Sequence, residues 1–218
     1  AQTPVTVTLS NGATINIAAG ATTGTATVAA PGDDPYIDAS TVSATIATAT
    51  GGNFESLQIN PAAATTTVTD DVDATTVSLS ATASVAEGGS IVYTATLTNA
   101  AQTPVTVTLS TGQTITIAAG ATTGTVSIAA PGDDPYVDAG SVSRTISSAT
   151  GGNFESLVVN ATPAVTTVTD TIDTTTLSIT GSASVTEGAS GSYTVSLTSP
   201  AQTAVTVNLT YSGTAANG

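Results

Sequence analysis

The sequence predicts an all-β protein made of tandem immunoglobulin-like β-sandwich domains, and three observations carry this prediction. The first is a period of 100 residues, because AQTPVTVTLS at residues 1–10 occurs again at 101–110. The second is the alternation of apolar and hydroxyl side chains in segments such as 105–109 and 114–117, which is typical of strands with one buried face. The third is a Gly or Pro-Gly turn signal about every ten residues.

The repeat also predicts where each domain begins. A new unit is expected after the acidic segment 69–73, because a fresh strand pattern starts at Thr75. Residues 74–173 then form one complete domain. Residues 1–73 form a partial repeat that lacks its first two strands, and residues 174–218 form the N-terminal part of a third repeat.

The complete domain is predicted to contain seven strands, which is the strand count of an immunoglobulin-like sandwich. The predicted strands are A near 75–85, B 90–98, C 104–110, D 113–118, E 122–129, F 140–149 and G 157–169. Strand G is interrupted by the segment 160–163, for which we favour a bulge over a turn because Pro163 cannot donate to a β-ladder. A true turn would reverse the last part of the strand.

Composition excludes several functional classes. Fifteen acidic residues face a single cation, Arg144, and the net charge of −14 is the opposite of a nucleic-acid-binding footprint. The chain has no Cys and no His, so a disulfide framework, a cysteine-based zinc site and the commonest transition-metal ligand are all absent. No uninterrupted apolar run reaches about 18 residues, so no membrane span is expected. Oxygen ligands for a hard cation remain.

The acidic residues are predicted to converge at the two ends of each sandwich. If every connection reverses the chain, the A–B turn, the E–F loop and the outgoing linker of the complete domain lie at one pole. The metal ligands expected there are Glu87, Asp133, Asp134, Asp138, Asp170 and Asp173. The F–G loop with Glu155 lies at the opposite pole, beside the linker from the first repeat. The ligands expected at that first junction are Asp33, Asp34, Asp38, Asp70, Asp71 and Asp73.

Crowded carboxylates repel one another, and calcium compensates them well because it takes six to eight oxygen ligands from irregular loops. Magnesium is the weaker candidate, and acids that merely solvate loops are the plain alternative. Seven acid pairs recur 100 residues apart, whereas nearby positions such as Ile91 and Gly191 differ between repeats. This contrast favours calcium. The loop 132–138 is not an EF-hand, since it lacks the twelve-residue ligand spacing.

Four motifs resemble the extender repeats of giant bacterial RTX adhesins, of the large adhesion protein (LapA) type of pseudomonads. They are the 84–88 turn, the 93–98 strand, the 133–136 loop and the 168–173 linker. The resemblance covers the whole chain. It implies calcium-rigidified domains of a secreted protein, outer-membrane associated through other parts of the full protein, that projects a ligand-binding tip in cell adhesion and biofilm formation. The Glu-Gly turn is also similar to that of Calx-β domains, and the departure of segment 211–218 from its counterpart places the third repeat nearer that type.

Other functions fit the sequence less well. The adjacent carboxylates of Asp133 and Asp134 are not a catalytic pair across a cleft, so no enzyme activity is expected. A carbohydrate-binding β-sandwich module is the alternative function, although two Phe, five Tyr and no Trp make a poor aromatic platform. The expected partners are neighbouring repeats of the same chain. Chain-to-chain completion is also expected, because residues 174–218 and 1–73 together supply the strands of one sandwich.

Overall fold

The computed structural model describes residues 1–38 and 40–213 and confirms the all-β fold class. No helix in the described ranges has the length and apolar character needed to cross a membrane. Of the final segment 211–218, whose sequence departs from its counterpart, residues 214–218 lie outside the described residues. The strands are β1 Val5–Leu9, β2 Thr14–Ile17, β3 Ser40–Ala44, β4 Ile46–Gly51, β5 Ala64–Val68, β6 Ala74–Ala81, β7 Ser84–Ala86, β8 Ser90–Leu97, β9 Val105–Leu109, β10 Thr114–Ile117, β11 Thr123–Ala129, β12 Gly140–Arg144, β13 Ile146–Gly151, β14 Ser156–Val159, β15 Ala164–Thr169, β16 Leu177–Gly181 and β17 Tyr193–Leu197.

Three of the seven strands predicted between residues 74 and 173 are divided between sheets. Strand A becomes β6 and β7, strand F becomes β12 and β13, and strand G becomes β14 and β15. The sheet orders are β11–β8–β6–β14, β10–β9–β13 and β12–β15–β7. Because β14 pairs parallel with β6 and β15 pairs parallel with β7, the chain crosses from one sheet to another at 160–163. The predicted single strand G with a bulge is therefore two strands.

The chain forms two compact units. The first comprises Ala1–Ala81, Val92–Val126 and Arg144–Ala164, and the second comprises Thr82–Ile91, Ser127–Ser143 and Val165–Gly218. The first unit holds most of the buried apolar side chains, because alternate positions of β9 and β10 face inward. Its fully or almost fully buried apolar members are Val77, Tyr93, Ala95, Ala101, Val105, Val107, Leu109, Ile115 and Ile117.

Arg144 also lies in the first unit, at the end of β12. Its guanidinium carbon is 5.7 Å from the centroid of the Tyr93 ring. This is cation–π distance, so the guanidinium of Arg144 lies over a core aromatic ring.

The first repeat shows which strands depend on partners elsewhere in the sandwich. β2–β1–β4 repeats the order of β10–β9–β13, and Val5 pairs with Ile17 as Val105 pairs with Ile117. Residues 23–29 and 56–59, the counterparts of β11 and β14, are not strands. β11 and β14 pair with β8 and β6, and the described chain contains no counterparts of those two strands for the first repeat. Within the described residues, segments 23–29 and 56–59 therefore join no sheet.

Candidate metal centre

The turn between β7 and β8 fixes the position of Glu87 within the second unit. The backbone N–H of Glu87 donates to the Thr169 carbonyl at 3.0 Å, and that of Gly88 donates to the Pro131 carbonyl at 2.7 Å. Ala130 in turn donates to the Gly89 carbonyl at 2.9 Å. Gly88 has a φ of 68°, a left-handed conformation that glycine adopts without strain. The turn is thus held against both the E–F loop and the end of β15.

Glu87, Asp138 and Asp170 form a three-carboxylate cluster. Each offers a carboxylate oxygen, and these atoms all lie within 4.8 Å of one another. Glu87 is only 7% exposed, and its Oε2 atom is buried without a hydrogen-bond partner, as is Oδ1 of Asp170. A buried charged oxygen without a partner is costly. A bound cation would remove that cost. The cluster therefore has the oxygen ligands of a metal site and two buried oxygen atoms that lack a partner.

The electrostatics of the cluster reflect mutual repulsion. A hydrogen bond shared with Asp138 is the largest cause that raises the pKa of Glu87 to about 7, followed by desolvation and by the charges of Asp138, Asp170 and Asp134. A glutamate with this pKa is partly protonated at neutral pH, because the cluster does not tolerate three full negative charges without compensation. A divalent cation would displace that shared proton.

The other acids predicted at this pole lie around the cluster in different roles. Asp133 accepts a hydrogen bond from the Thr171 hydroxyl. Asp134 accepts the backbone N–H of Tyr136 at 2.9 Å, and its charge contributes to the raised pKa of Glu87. Asp173 is exposed in the linker after β15, outside the three-carboxylate cluster.

The first junction, formed by the acids of 33–38 and 70–73 with Glu155, lies within the first unit. A hydrogen bond shared with Asp71, and then its charge, raise the pKa of Asp33 to about 6. The backbone N–H of Asp38 donates to Oδ2 of Asp70 at 3.3 Å. Desolvation and then the charges of Asp34 and Asp70 raise the pKa of Asp38. These acids form pairs, and in the described residues they contain no group of three as close as the cluster of Glu87.

Glu155 brings a carboxylate of the second repeat to this junction. Its Oε2 atom accepts the backbone N–H of Asp73 at 2.5 Å, and its Oε1 atom is buried without a partner. The Asp73 N–H acts to lower the pKa of Glu155, but desolvation and the charge of Asp70 outweigh it and the pKa is raised. A carboxylate from one repeat therefore meets acids from the repeat before it.

A cleft of about 310 Å³ opens beside the acids of the first repeat. Asp33, Asp38, Asp70 and Asp71 contribute to its wall. Its lining also includes residues 30 and 31, the counterparts of the two residues that hold the Gly88–Gly89 turn in the second repeat.

Sequence reasoning missed the role of the tyrosine that follows the paired aspartates. The hydroxyl of Tyr36 donates to the Ala100 carbonyl at 2.6 Å, and the hydroxyl of Tyr136 donates to the Pro200 carbonyl at 2.7 Å. Tyr136 is half-buried. The signal in the sequence is the repeated Asp-Asp-Pro-Tyr segment, in which the tyrosine recurs together with the two carboxylates.

Comparison with known families agrees with this architecture. The model of the LapA domain matches residues 1–71, 73–171 and 173–215. The match confirms the resemblance to the large adhesion protein type that the turn, strand, loop and linker motifs indicate. No curated protein and no solved structure matches the chain.

Proposed function

The chain belongs to the LapA domain family, and we propose that it is a calcium-rigidified extender module of a secreted, cell-surface bacterial adhesin. In this role the repeats project a ligand-binding tip during cell adhesion and biofilm formation. Membership of an adhesin domain family points to a structural rather than a catalytic role. The partners are the neighbouring repeats of the same chain, and the strongly acidic composition argues against nucleic acid.

The observation that carries the calcium proposal is the buried, unpartnered Oε2 atom of Glu87 beside Asp138 and Asp170. Three carboxylates supply up to six oxygen atoms, and backbone carbonyls or water complete a calcium shell. The ligands are all oxygen, which suits calcium or magnesium better than zinc or copper. Calcium is preferred to magnesium because irregular loops do not impose the octahedral geometry that magnesium requires.

Rigidification follows from the position of acids at the first junction. Glu155 belongs to the second repeat, and its charge helps to raise the pKa of Asp33 in the first repeat. The charges of Asp70 and Asp73, also in the first repeat, help to raise the pKa of Glu155. Without a cation these groups repel across the junction. An ion held by both repeats would replace that repulsion with shared ligands and restrict bending. The array would then be stiff in calcium and softer without it.

The test uses the whole chain in calcium, in magnesium and in a chelator. We expect calcium to raise the melting temperature, to bind in counted stoichiometry, and to lengthen the chain in small-angle scattering. Magnesium at the same concentration serves as the control for ionic strength and should produce a smaller effect. Equal melting temperatures and equal maximum dimensions with calcium and chelator would contradict the proposal.

A sugar array separates this function from the carbohydrate-binding alternative. A binding module needs an accessible flat aromatic surface, but Tyr93 is fully buried and the Phe154 ring is covered by Tyr36. The rings of Tyr193 and Tyr211 meet edge to face with an interplanar angle of 69°. We therefore expect no specific sugar binding, and a reproducible hit that survives chelation would favour the alternative.

A further inference from the structure

Tyr36 joins the first repeat to the second through a ring stack and a hydrogen bond. Neither contact involves a metal ion. Its ring stacks on Phe154, with centroids 5.7 Å apart and an interplanar angle of 24°. Its hydroxyl donates to the Ala100 carbonyl at 2.6 Å. One side chain thus contacts the F–G loop and the B–C connection of the following repeat, and all of these residues lie in the first compact unit.

The backbone around Tyr36 adds a short antiparallel bridge to the same loop. Tyr36 and Phe154 are bridge partners. The Ile37 N–H donates to the Asn153 carbonyl at 3.2 Å, and the Glu155 N–H donates to the Pro35 carbonyl at 3.2 Å. Two loops from consecutive repeats therefore pair like neighbouring strands, and the aromatic pair covers the bridge.

Both sides of this contact are built to hold their shape. On one side, the Asp34 carboxylate accepts the Tyr36 N–H at 2.9 Å, which closes a turn around Pro35. On the other side, Phe154 is only 6% exposed and packs closely against Gly152. A Cβ atom at Gly152 would lie 2.2 Å from the Phe154 ring, so only glycine fits. Preformed partners lose little conformational entropy when they meet.

The second junction repeats the tyrosine contact as far as the described chain extends. Asp134 accepts the Tyr136 N–H at 2.9 Å, and the Tyr136 hydroxyl donates to the Pro200 carbonyl at 2.7 Å. The acceptor changes from Ala100 to Pro200, but it remains a backbone carbonyl at the equivalent position. A contact to backbone tolerates this sequence difference.

We propose that the Asp-Asp-Pro-Tyr loop is a metal-independent latch that docks each repeat onto the next copy of the same repeat. This inference goes beyond calcium rigidification, because neither the ring stack nor the hydroxyl bond needs an ion. Asp34 is only two residues from Tyr36, so the latch and the acids of the first junction share one loop. The latch opposes the carboxylate repulsion at that junction and keeps the two repeats aligned when the cation is removed.

Pulsed electron–electron double resonance, which measures the distance between two spin labels, tests the latch on the full chain. The chain contains no cysteine, so Thr48→Cys and Ser148→Cys place one spin label on an exposed strand position in each of the two repeats. Distances are measured in calcium and in chelator for the labelled parent and for Tyr36→Ala, Tyr36→Phe and Tyr136→Ala. Tyr136→Ala is the matched control, because it removes the same side chain from the other junction.

In chelator we expect the parent and Tyr136→Ala to keep a single distance peak, somewhat broader than in calcium, and Tyr36→Ala to broaden it much further. Tyr36→Phe retains the ring and should broaden it less. Circular dichroism checks that each variant is folded, and Tyr36→Phe decides the question if Tyr36→Ala is not. A parent distribution in chelator as broad as that of Tyr36→Ala would overturn the latch, as would equal broadening by Tyr136→Ala. Failure of calcium rigidification would appear separately, as identical parent distributions in calcium and chelator.

Discussion

Glu87→Gln is expected to remove most of the stabilisation by calcium without weakening the metal-free protein. Glutamine has almost the same shape as glutamate, so the packing of the turn is preserved. It carries no charge, however, and cannot serve as an anionic ligand beside Asp138 and Asp170. Because the pKa of Glu87 is raised to about 7 by its neighbours, a neutral residue at this position also relieves repulsion when no ion is present. The substitution therefore has opposite effects in calcium and in chelator.

The size of the lost effect follows from mass action. Extracellular calcium modules bind with dissociation constants of about 0.1 to 1 mM. At roughly 10 mM calcium and a constant of about 0.1 mM, a single site stabilises the folded state by about 2.7 kcal/mol. For a domain of about 100 residues each kcal/mol corresponds to about 4–8 °C, so calcium should raise the melting temperature by about 11–22 °C. If the substitution raises the constant to the calcium concentration, about 0.4 kcal/mol remains.

Differential scanning calorimetry in calcium and in chelator measures both effects. Glu187→Gln is the matched control, because Glu187 is the counterpart of Glu87 in the third repeat and is exposed. The control should keep the full calcium-dependent shift. The reasoning fails if Glu87→Gln keeps a shift as large as that of the parent, or if Glu187→Gln loses as much.

Three further predictions concern acidity, core packing and assembly. In chelator, the folded chain holds a proton on Glu87 up to about pH 7 that the unfolded chain releases near its ordinary pKa of 4.5. Stability should therefore fall as pH rises through that window, and a melting temperature that rises between pH 5 and pH 7 would contradict this. Ile115→Ala, at a fully buried position, should cost about 2–5 kcal/mol in urea denaturation, and Ile15→Ala should cost less because Ile15 is only half-buried. We also propose that residues 174–218 of one molecule and 1–73 of the next complete a sandwich; light scattering that detects only monomers at high concentration in calcium would exclude it.

The strands of the complete repeat were largely predictable, because alternation is a local property of the sequence. Every predicted strand from A to G has an observed counterpart. Their assignment to sheets was not predictable, since the alternating pattern continues on both sides of segments 82–83 and 160–163. Which neighbour accepts each backbone hydrogen bond depends on residues far away in sequence. The division of strands A, F and G between sheets is therefore a feature of the structure that the sequence pattern does not predict.

The candidate metal site was also predictable only in part. Strand direction predicts Glu87, Asp138 and Asp170 at one pole, and their carboxylate oxygens lie within 4.8 Å of one another. The distances that separate these three from Asp173 depend on loop conformation, which the sequence pattern does not specify. The contacts of Tyr36 could not be predicted from the sequence, because its partners lie 64 and 118 residues further along the chain.

Identical sequences in the first and second repeats occupy different environments, and this shows where stability resides. Phe154 is 6% exposed beneath Tyr36, whereas Phe54 in the same GGNFESL sequence is 50% exposed. Sheet partners account for part of this difference, since the described residues include no counterparts of β6 and β8 for the first repeat. The stability of a repeat of this kind depends on contacts with its neighbours, as expected for a linear array. The proposed calcium site and the proposed tyrosine latch are two such contributions. The E–F loop supplies Asp138 to the first and Tyr36 to the second. Because only the calcium site involves an ion, chelation should lower stability and increase bending, while the tyrosine latch keeps consecutive repeats docked.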